Sequence, residues 1–144
     1  RVLRYTLQSN ESQSVSLREE MEFASAYIFL LKMRFENNLQ FDIQIAKSFE
    51  DYRLPPMAVQ VLIENAVQHN EISDRKPLTI HIVTNNEGYL SVSNDIQPKR
   101  TAASGTGIGL VNLAKRYRLL FKQDIQITED KEFSVCIPLI DEVQ

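Results

Sequence analysis

The stretch LIENAVQHN, residues 62–70, places an acid, an amide and an imidazole in what otherwise has the pattern of a core helix. At about 100° per residue, the apolar side chains around it form one wide arc: Ala58, Val59, Leu62, Ile63, Ala66 and Val67. Glu64 falls on a separate polar stripe with Gln60 and Gln68. Asn65 and His69 fall outside that stripe, at the edge of the apolar arc, so we expect their polar atoms to have partners there.

This pair allows two interpretations. A buried amide without a partner costs about 1–3 kcal/mol, so a hydrogen bond to the backbone is the structural interpretation of Asn65. A satisfied, half-buried histidine is the matching interpretation of His69. Because the two side chains lie one helical turn apart on the same face, the pair also favours a functional site, without deciding the question.

A second motif is SGTGIGL, residues 104–110, in which Gly105, Gly107 and Gly109 open directly into an amphipathic helix. Glycine lets the backbone approach a ligand closely, and a helix N-terminus offers unpaired N–H groups and a partial positive charge. The motif therefore predicts an anion site, usually one for phosphate. It is neither a P-loop nor a dinucleotide fingerprint, and a helix-entry loop without a ligand is the alternative.

Composition restricts the class of protein. The 144 residues suit one domain, and the 43% apolar content is enough for a core. The net charge of −3 gives no support to a nucleic-acid binder. The single cysteine, Cys136, is expected to be a small core residue in a reducing compartment. No stretch is long enough to span a bilayer, and because the chain starts without Met, we expect a piece of a longer protein.

Helical spacing predicts three helices. Ser16 and Glu19 form a capping box for a helix that continues to Phe35. We expect this helix to be covered on two sides, because a second apolar stripe contains Phe23, Tyr27 and Leu30. Pro56 is expected in the first turn of a helix over residues 56–70, and the third helix begins at residue 107.

Alternating residues predict the strands. Residues 39–46 form a half-buried strand, residues 78–84 and 89–94 form a hairpin around the turn sequence NNEG, and residues 124–130 and 132–140 form a closing pair. The expected fold class is α+β: a two-layer α/β sandwich in which helices cover one face of a mixed, mostly antiparallel sheet.

With both motifs in this order, the chain resembles the ATP-binding catalytic domain of the LytS-like sensor histidine kinases of two-component systems. LPPMAVQVLIENAVQHN (residues 54–70) resembles the N box of that family, and GTGIGLVNLAKRYRLLF (residues 105–121) resembles its G box and the following helix. Residues 4–35 resemble the link from the phosphoacceptor helices. The resemblance implies the Bergerat (GHKL) ATP-binding fold, with residues 1–15 as the end of a dimerisation helix and linker, and residues 16–144 as the catalytic domain.

The resemblance also implies roles for single residues. Asn65 would coordinate the Mg²⁺ that bridges the ATP phosphates, Glu64 would organise the metal or its waters, and His69 would face the phosphates. Backbone of the glycine motif would approach the triphosphate at Gly105, Gly107, Gly109 and Leu110. ATP and Mg²⁺ are thus the implied cofactors.

The adenine site departs from the family pattern. Asn94 stands where most of the family has an aspartate that accepts a hydrogen bond from the adenine amino group. Its carbonyl oxygen can accept the same bond without the charge, and Asp95 is the alternative after a shift of one residue. Adenine affinity or selectivity is therefore expected to differ from that of the family.

The implied activity is transfer of the ATP γ-phosphoryl group to a histidine outside this chain. Neither His69 nor His81 lies in an acceptor motif, so autophosphorylation of the chain alone is not expected. The implied partners are upstream dimerisation helices and a response regulator, and the implied location is the cytoplasmic side of a bacterial inner membrane, with membrane contact only through other segments. The alternatives are a regulatory module that binds nucleotide poorly and another GHKL ATPase.

Overall fold

The computed structural model describes residues 14–99 and 107–141. In this part of the chain the helices are α1 (Leu17–Phe35), α2 (Ala58–His69) and α3 (Ile108–Phe121). The strands are β1 (Val15–Ser16), β2 (Leu39–Gln44), β3 (Arg53–Leu54), β4 (Leu78–Thr84), β5 (Tyr89–Asp95), β6 (Gln126–Glu129) and β7 (Glu132–Pro138). The expected dimerisation-helix end, residues 1–7, lies outside the described residues.

The main sheet has five strands in the order β2-β4-β5-β7-β6. Only β2 and β4 run parallel, and the other neighbours are antiparallel. The hairpin of β4 and β5 turns where predicted, with the Asn85 side chain accepting hydrogen bonds from the backbone of Glu87 and Tyr89. The mixed, mostly antiparallel sheet is therefore confirmed, and β1 and β3 form a separate two-stranded antiparallel sheet.

The helices cover one face of the sheet. Alternate residues of β4, β5 and β7 are almost fully buried in the same apolar core as the inner faces of the helices: Ile80, Ile82, Leu90, Val92, Val135 and Ile137. The opposite face carries polar residues such as Asp42 and His81, which lie side by side with Nδ1 of His81 2.9 Å from Oδ2 of Asp42. The two-layer α+β class is thus confirmed. Among the described residues, no helix has the length and apolar character needed to cross a membrane.

Helix α1 begins with the predicted capping box. The Glu19 backbone N–H donates to Oγ of Ser16, and the Ser16 N–H donates to the Glu19 carboxylate, at 3.1 and 3.0 Å. The predicted cover on a second side is wrong within the described part of the chain, since Phe23 and Leu30 are 54% and 62% exposed. Of the predicted second stripe, Phe23 and Leu30 face outwards, whereas Tyr27 is half-buried and packs against the core.

Helix α2 begins at Ala58, two residues after the predicted start, because Met57 adopts the left-handed conformation with φ 70° and acts as the N-cap. Met57 supplies no side-chain cap. Instead, the buried carboxylate of Glu20 in α1 accepts hydrogen bonds from the Met57 and Val59 N–H groups, at 3.0 and 2.9 Å. Arg116 of α3 donates to the Pro56 carbonyl at 2.7 Å. The start of α2 is therefore fixed by both other helices.

Burial raises the pKa of Glu20 above its ordinary value of 4.5, against the lowering effect of its backbone hydrogen bonds. Because the folded state then holds this proton more tightly than the unfolded state, stability should fall as pH rises from about 4.5 through the folded pKa. We predict that the difference in free energy of unfolding between the wild type and Glu20→Gln decreases across that range and then levels off, as measured by urea denaturation. A difference independent of pH would contradict the buried acid.

Candidate functional site

A cavity of about 420 Å³ lies where the end of α2, the start of α3 and the sheet meet. Asn65, His69 and Asn70 border it from α2 and its C-terminal cap. Its other walls come from elements far apart in sequence: Ile96, Pro98, Gly107, Leu110, Glu129 and Phe133. The fold thus brings the two predicted motifs to one site.

Asn65 and His69 are half-buried and border this cavity together. Within residues 14–99 and 107–141, no hydrogen bond of the Asn65 side chain is found. The structural interpretation of Asn65, a hydrogen bond to the backbone, therefore finds no partner in that part of the chain. None of the described residues therefore competes with a group in the cavity for its amide.

Glu64 precedes Asn65 in sequence but is exposed and does not border the cavity. Burial, and after it the negative charge of Glu64, raise the pKa of the Tyr27 hydroxyl in α1. Successive residues of a helix point about 100° apart. The structure therefore separates Glu64 from Asn65 rather than placing both carbonyl-bearing side chains in one site.

The glycines of the second motif occupy different environments. Gly107 borders the cavity and is the N-cap of α3, with φ 76° in the left-handed region. Gly109 instead faces α2, where an added Cβ would lie 3.4 Å from Cγ1 of Val61. Gly105 lies outside the described residues. Leu110, one turn into α3, forms part of the cavity wall.

Asn94 is 1% exposed near the end of β5, and its Nδ2 donates to the Asp95 carbonyl at 2.7 Å. It pairs across the sheet with Phe133, which borders the cavity. Because cross-strand partners share a face of the sheet, Asn94 lies on the face that carries the cavity. Asp95 is on the opposite face and exposed.

Asn70 ends the first sequence motif, but the sequence did not assign it to the site. It is 5% exposed, its Nδ2 donates to the Ala66 carbonyl, and its Oδ1 accepts from the Gln97 N–H at 2.7 Å. The Glu71 N–H donates to the Gln97 carbonyl at 2.6 Å. These bonds hold the segment after β5 against the end of α2, and so they position Ile96 and Pro98 at the cavity. The only signal in the sequence is an asparagine at a helix end, since its partner is remote.

Comparison with known proteins supports the resemblance of the sequence. A family model described as histidine kinase matches residues 1–39. The sensor protein LytS of Streptococcus mutans is 34% identical over 143 residues, which covers 88% of this chain and 24% of that protein. The chain belongs to the LytS-like histidine kinases. The chain spans about a quarter of the length of this relative. The sensor histidine kinase BtsS of Escherichia coli is 28% identical, in an alignment that covers 81% of this chain and 21% of BtsS.

Solved structures agree with the fold. The catalytic domain of histidine kinase ThkA superimposes with a TM-score of 0.59 at 19% identity, covering 90% of this chain and 98% of that one. The cytoplasmic segment of histidine kinase QseC gives a TM-score of 0.61 at 10% identity, covering 90% and 78%. The chain therefore has the fold of histidine kinase catalytic domains.

The two described glycines of the motif should respond oppositely to alanine. Gly107→Ala should lower the free energy of unfolding by about 1 kcal/mol, because a Cβ disfavours the left-handed conformation. Gly109→Ala should leave it unchanged or raise it by up to about 1 kcal/mol, because alanine favours the helix and the nearest atom is at ordinary contact distance. Chemical denaturation of both variants measures the difference. Equal losses would show that these environments are misassigned.

Proposed function

We propose that this domain binds ATP with Mg²⁺ and transfers the γ-phosphoryl group to a histidine outside the chain, as the catalytic domain of a two-component sensor kinase. The observation that carries the proposal is one cavity that contains both the Asn65 amide and the glycine-capped start of α3. Its volume of about 420 Å³ is within the range of small-molecule sites.

The start of α3 suits the phosphate end of the ligand. The first N–H groups of a helix have no acceptor within the helix, and their partial positive charge favours an anion. Gly107 brings no side chain between this helix start and the cavity. In this proposal the backbone near Gly107 and Leu110 holds phosphate oxygens, and His69 faces them from α2.

The residues present fit a magnesium ion that is held mainly by the nucleotide. Mg²⁺ in phosphate sites usually takes one or two protein oxygens and completes its shell with phosphate and water. Among the described residues, no cluster of three or more His, Cys, Asp or Glu side chains is placed to hold a metal, whereas Asn65 offers one amide oxygen. When bound, the ion spreads the charge of the β- and γ-phosphate oxygens.

The apolar part of the cavity lining suits a planar base. Ile96, Pro98 and Phe133 line it with apolar surface, and Asn94 lies on the same face of the sheet. Because Nδ2 of Asn94 is used by the Asp95 carbonyl, its Oδ1 is the atom available to accept a bond from an amino group. A neutral acceptor replaces a charged one, so we expect weaker discrimination in favour of adenine.

This neutral acceptor also favours one alternative function, a regulatory module that binds nucleotide poorly. The melting temperature in the presence of ATP and Mg²⁺ distinguishes the two functions. A catalytic domain should show a rise in Tm that needs both ATP and Mg²⁺, whereas a module that has lost nucleotide binding should show none. The position of the Asn65 amide at the cavity and the glycine-capped start of α3 support the catalytic function.

Asn65→Ala should abolish Mg-ATP binding in isothermal titration calorimetry while leaving Tm in the absence of nucleotide nearly unchanged. Asn65→Asp should do the same, because its carboxylate places a negative charge next to the triphosphate. Gln68→Ala is the matched control, since Gln68 is exposed on the same helix and outside this cavity. Unchanged affinity in either Asn65 variant would overturn the assignment of this residue.

The chain alone should not acquire label from ATP carrying a labelled γ-phosphate, because the proposed acceptor lies outside it. A longer form of the protein that includes the upstream helices should be labelled under the same conditions. Stable, acid-labile label on His69 or His81 of the 144-residue chain would contradict the proposal.

A further inference from the structure

Glu129 is the one carboxylate among the described residues that border the cavity. It is the last residue of β6, an edge strand of the main sheet, and it is exposed. Within residues 14–99 and 107–141, its side chain has no hydrogen bond or ion pair. A negative charge at the border of a triphosphate site is unfavourable unless it acts on another part of the ligand. The position of Glu129 relative to the other walls shows which part this is.

Glu129 belongs to a row of three residues across the sheet. Its partner on β7 is Phe133, and the partner of Phe133 on β5 is Asn94. Because directly paired residues share a face of the sheet, all three lie on the face that carries the cavity. Asn94 is 1% exposed, Phe133 is half-buried and Glu129 is exposed. The row therefore runs from the interior of the domain to its rim.

The spacing of this row fits a nucleoside. Neighbouring strands lie about 4.8 Å apart, so the backbones of Asn94 and Glu129 are separated by about 10 Å. This separation is comparable to the length of adenosine from its amino group to its ribose hydroxyls. In the proposed function Asn94 accepts a bond from the amino group and Phe133 lines the site of the base. Glu129 then lies towards the opposite end of the base, where the sugar is attached.

We infer that Glu129 accepts hydrogen bonds from the ribose hydroxyls of the nucleotide and selects ribonucleotides. A carboxylate has two acceptor oxygens and, when ionised, no donor, which suits two neighbouring hydroxyls. An acidic residue binds a ribose hydroxyl in the same way in dinucleotide-binding folds. The triphosphate is proposed to lie at Asn65 and at the start of α3, so the charge of Glu129 acts on the uncharged part of the ligand.

The inference rests on the proposed function, because it needs a nucleotide in this cavity. The probes are ATP and 2′,3′-dideoxy-ATP, each with Mg²⁺, and the measurement is Kd by isothermal titration calorimetry on the 144-residue chain. The ratio of the two Kd values reports the hydroxyl contacts. A merely structural role of Glu129 would change both Kd values together and leave this ratio unchanged.

The wild type should bind ATP about tenfold more tightly than 2′,3′-dideoxy-ATP, the lower end for hydrogen bonds to a charged group because Glu129 is exposed. Glu129→Ala should weaken ATP binding about tenfold and bring the ratio close to one. Glu129→Gln should keep part of the ratio, because its amide retains one acceptor oxygen. Glu132→Ala is the matched control and should keep the wild-type ratio, since Glu132 is an exposed acid that pairs with Asp95 on the opposite face.

Other roles of Glu129 give different results. Tighter ATP binding by Glu129→Ala at an unchanged ratio would show that this residue only repels phosphate. A change in the preference for ATP over inosine triphosphate, with the ribose ratio unchanged, would assign Glu129 to the base instead. Either result, or a wild-type ratio close to one, would overturn this inference and leave the proposed function standing. A wild type that binds neither nucleotide would overturn both.

Discussion

The geometry of the site depends on how the start of α2 is held. Pro55 and Pro56 carry no backbone N–H, and Met57 turns left-handed, so the helix has no cap of its own. The carboxylate of Glu20 in α1 supplies the cap, and Arg116 of α3 donates a hydrogen bond to the Pro56 carbonyl. Because a buried acid is costly without such partners, this arrangement ties three helices to one point. Asn65 and Gly107 both take their positions from it.

The two described glycines of the second motif have different roles at the approach of α2 and α3. Gly107 makes the left-handed turn from which α3 begins, whereas Gly109 faces Val61 of α2, where a Cβ would lie at ordinary contact distance. At the other end of α2, Asn70 binds the segment after β5 through Gln97. The cavity is therefore bounded by a packed helix pair on one side and by a hydrogen-bonded loop on the other. Such a frame suits a ligand that is bound by backbone groups and one amide.

The sequence predicted those parts of the fold that follow from local patterns. The Ser16 capping box, the β4–β5 hairpin and the helix after Gly107 depend on residues only a few positions apart, and all are observed. Helical spacing alone also separates Asn65 from Glu64. The start of α2 was predicted wrongly because its cap comes from Glu20, which is remote in sequence and resembles any other acid in an amphipathic helix.

The walls of the site were less predictable for the same reason. Asn70, Ile96 and Phe133 belong to three elements that meet only in the folded chain, and no spacing rule connects them. A different kind of error concerns the second apolar stripe of α1, which was predicted to be covered. Phe23 and Leu30 are both more than half exposed in the described part of the chain. The prediction failed because periodicity shows that a stripe is apolar without showing what packs on it.

The most direct test of the account is a crystal structure of the domain with magnesium and a non-hydrolysable ATP analogue. The account predicts an Asn65 Oδ1 to Mg²⁺ distance of about 2.0–2.1 Å, phosphate oxygens at the backbone near Gly107 and Leu110, and the base between Pro98 and Phe133. An analogue bound in the separate groove near Phe35 and Ile72, or a metal site without Asn65, would contradict it.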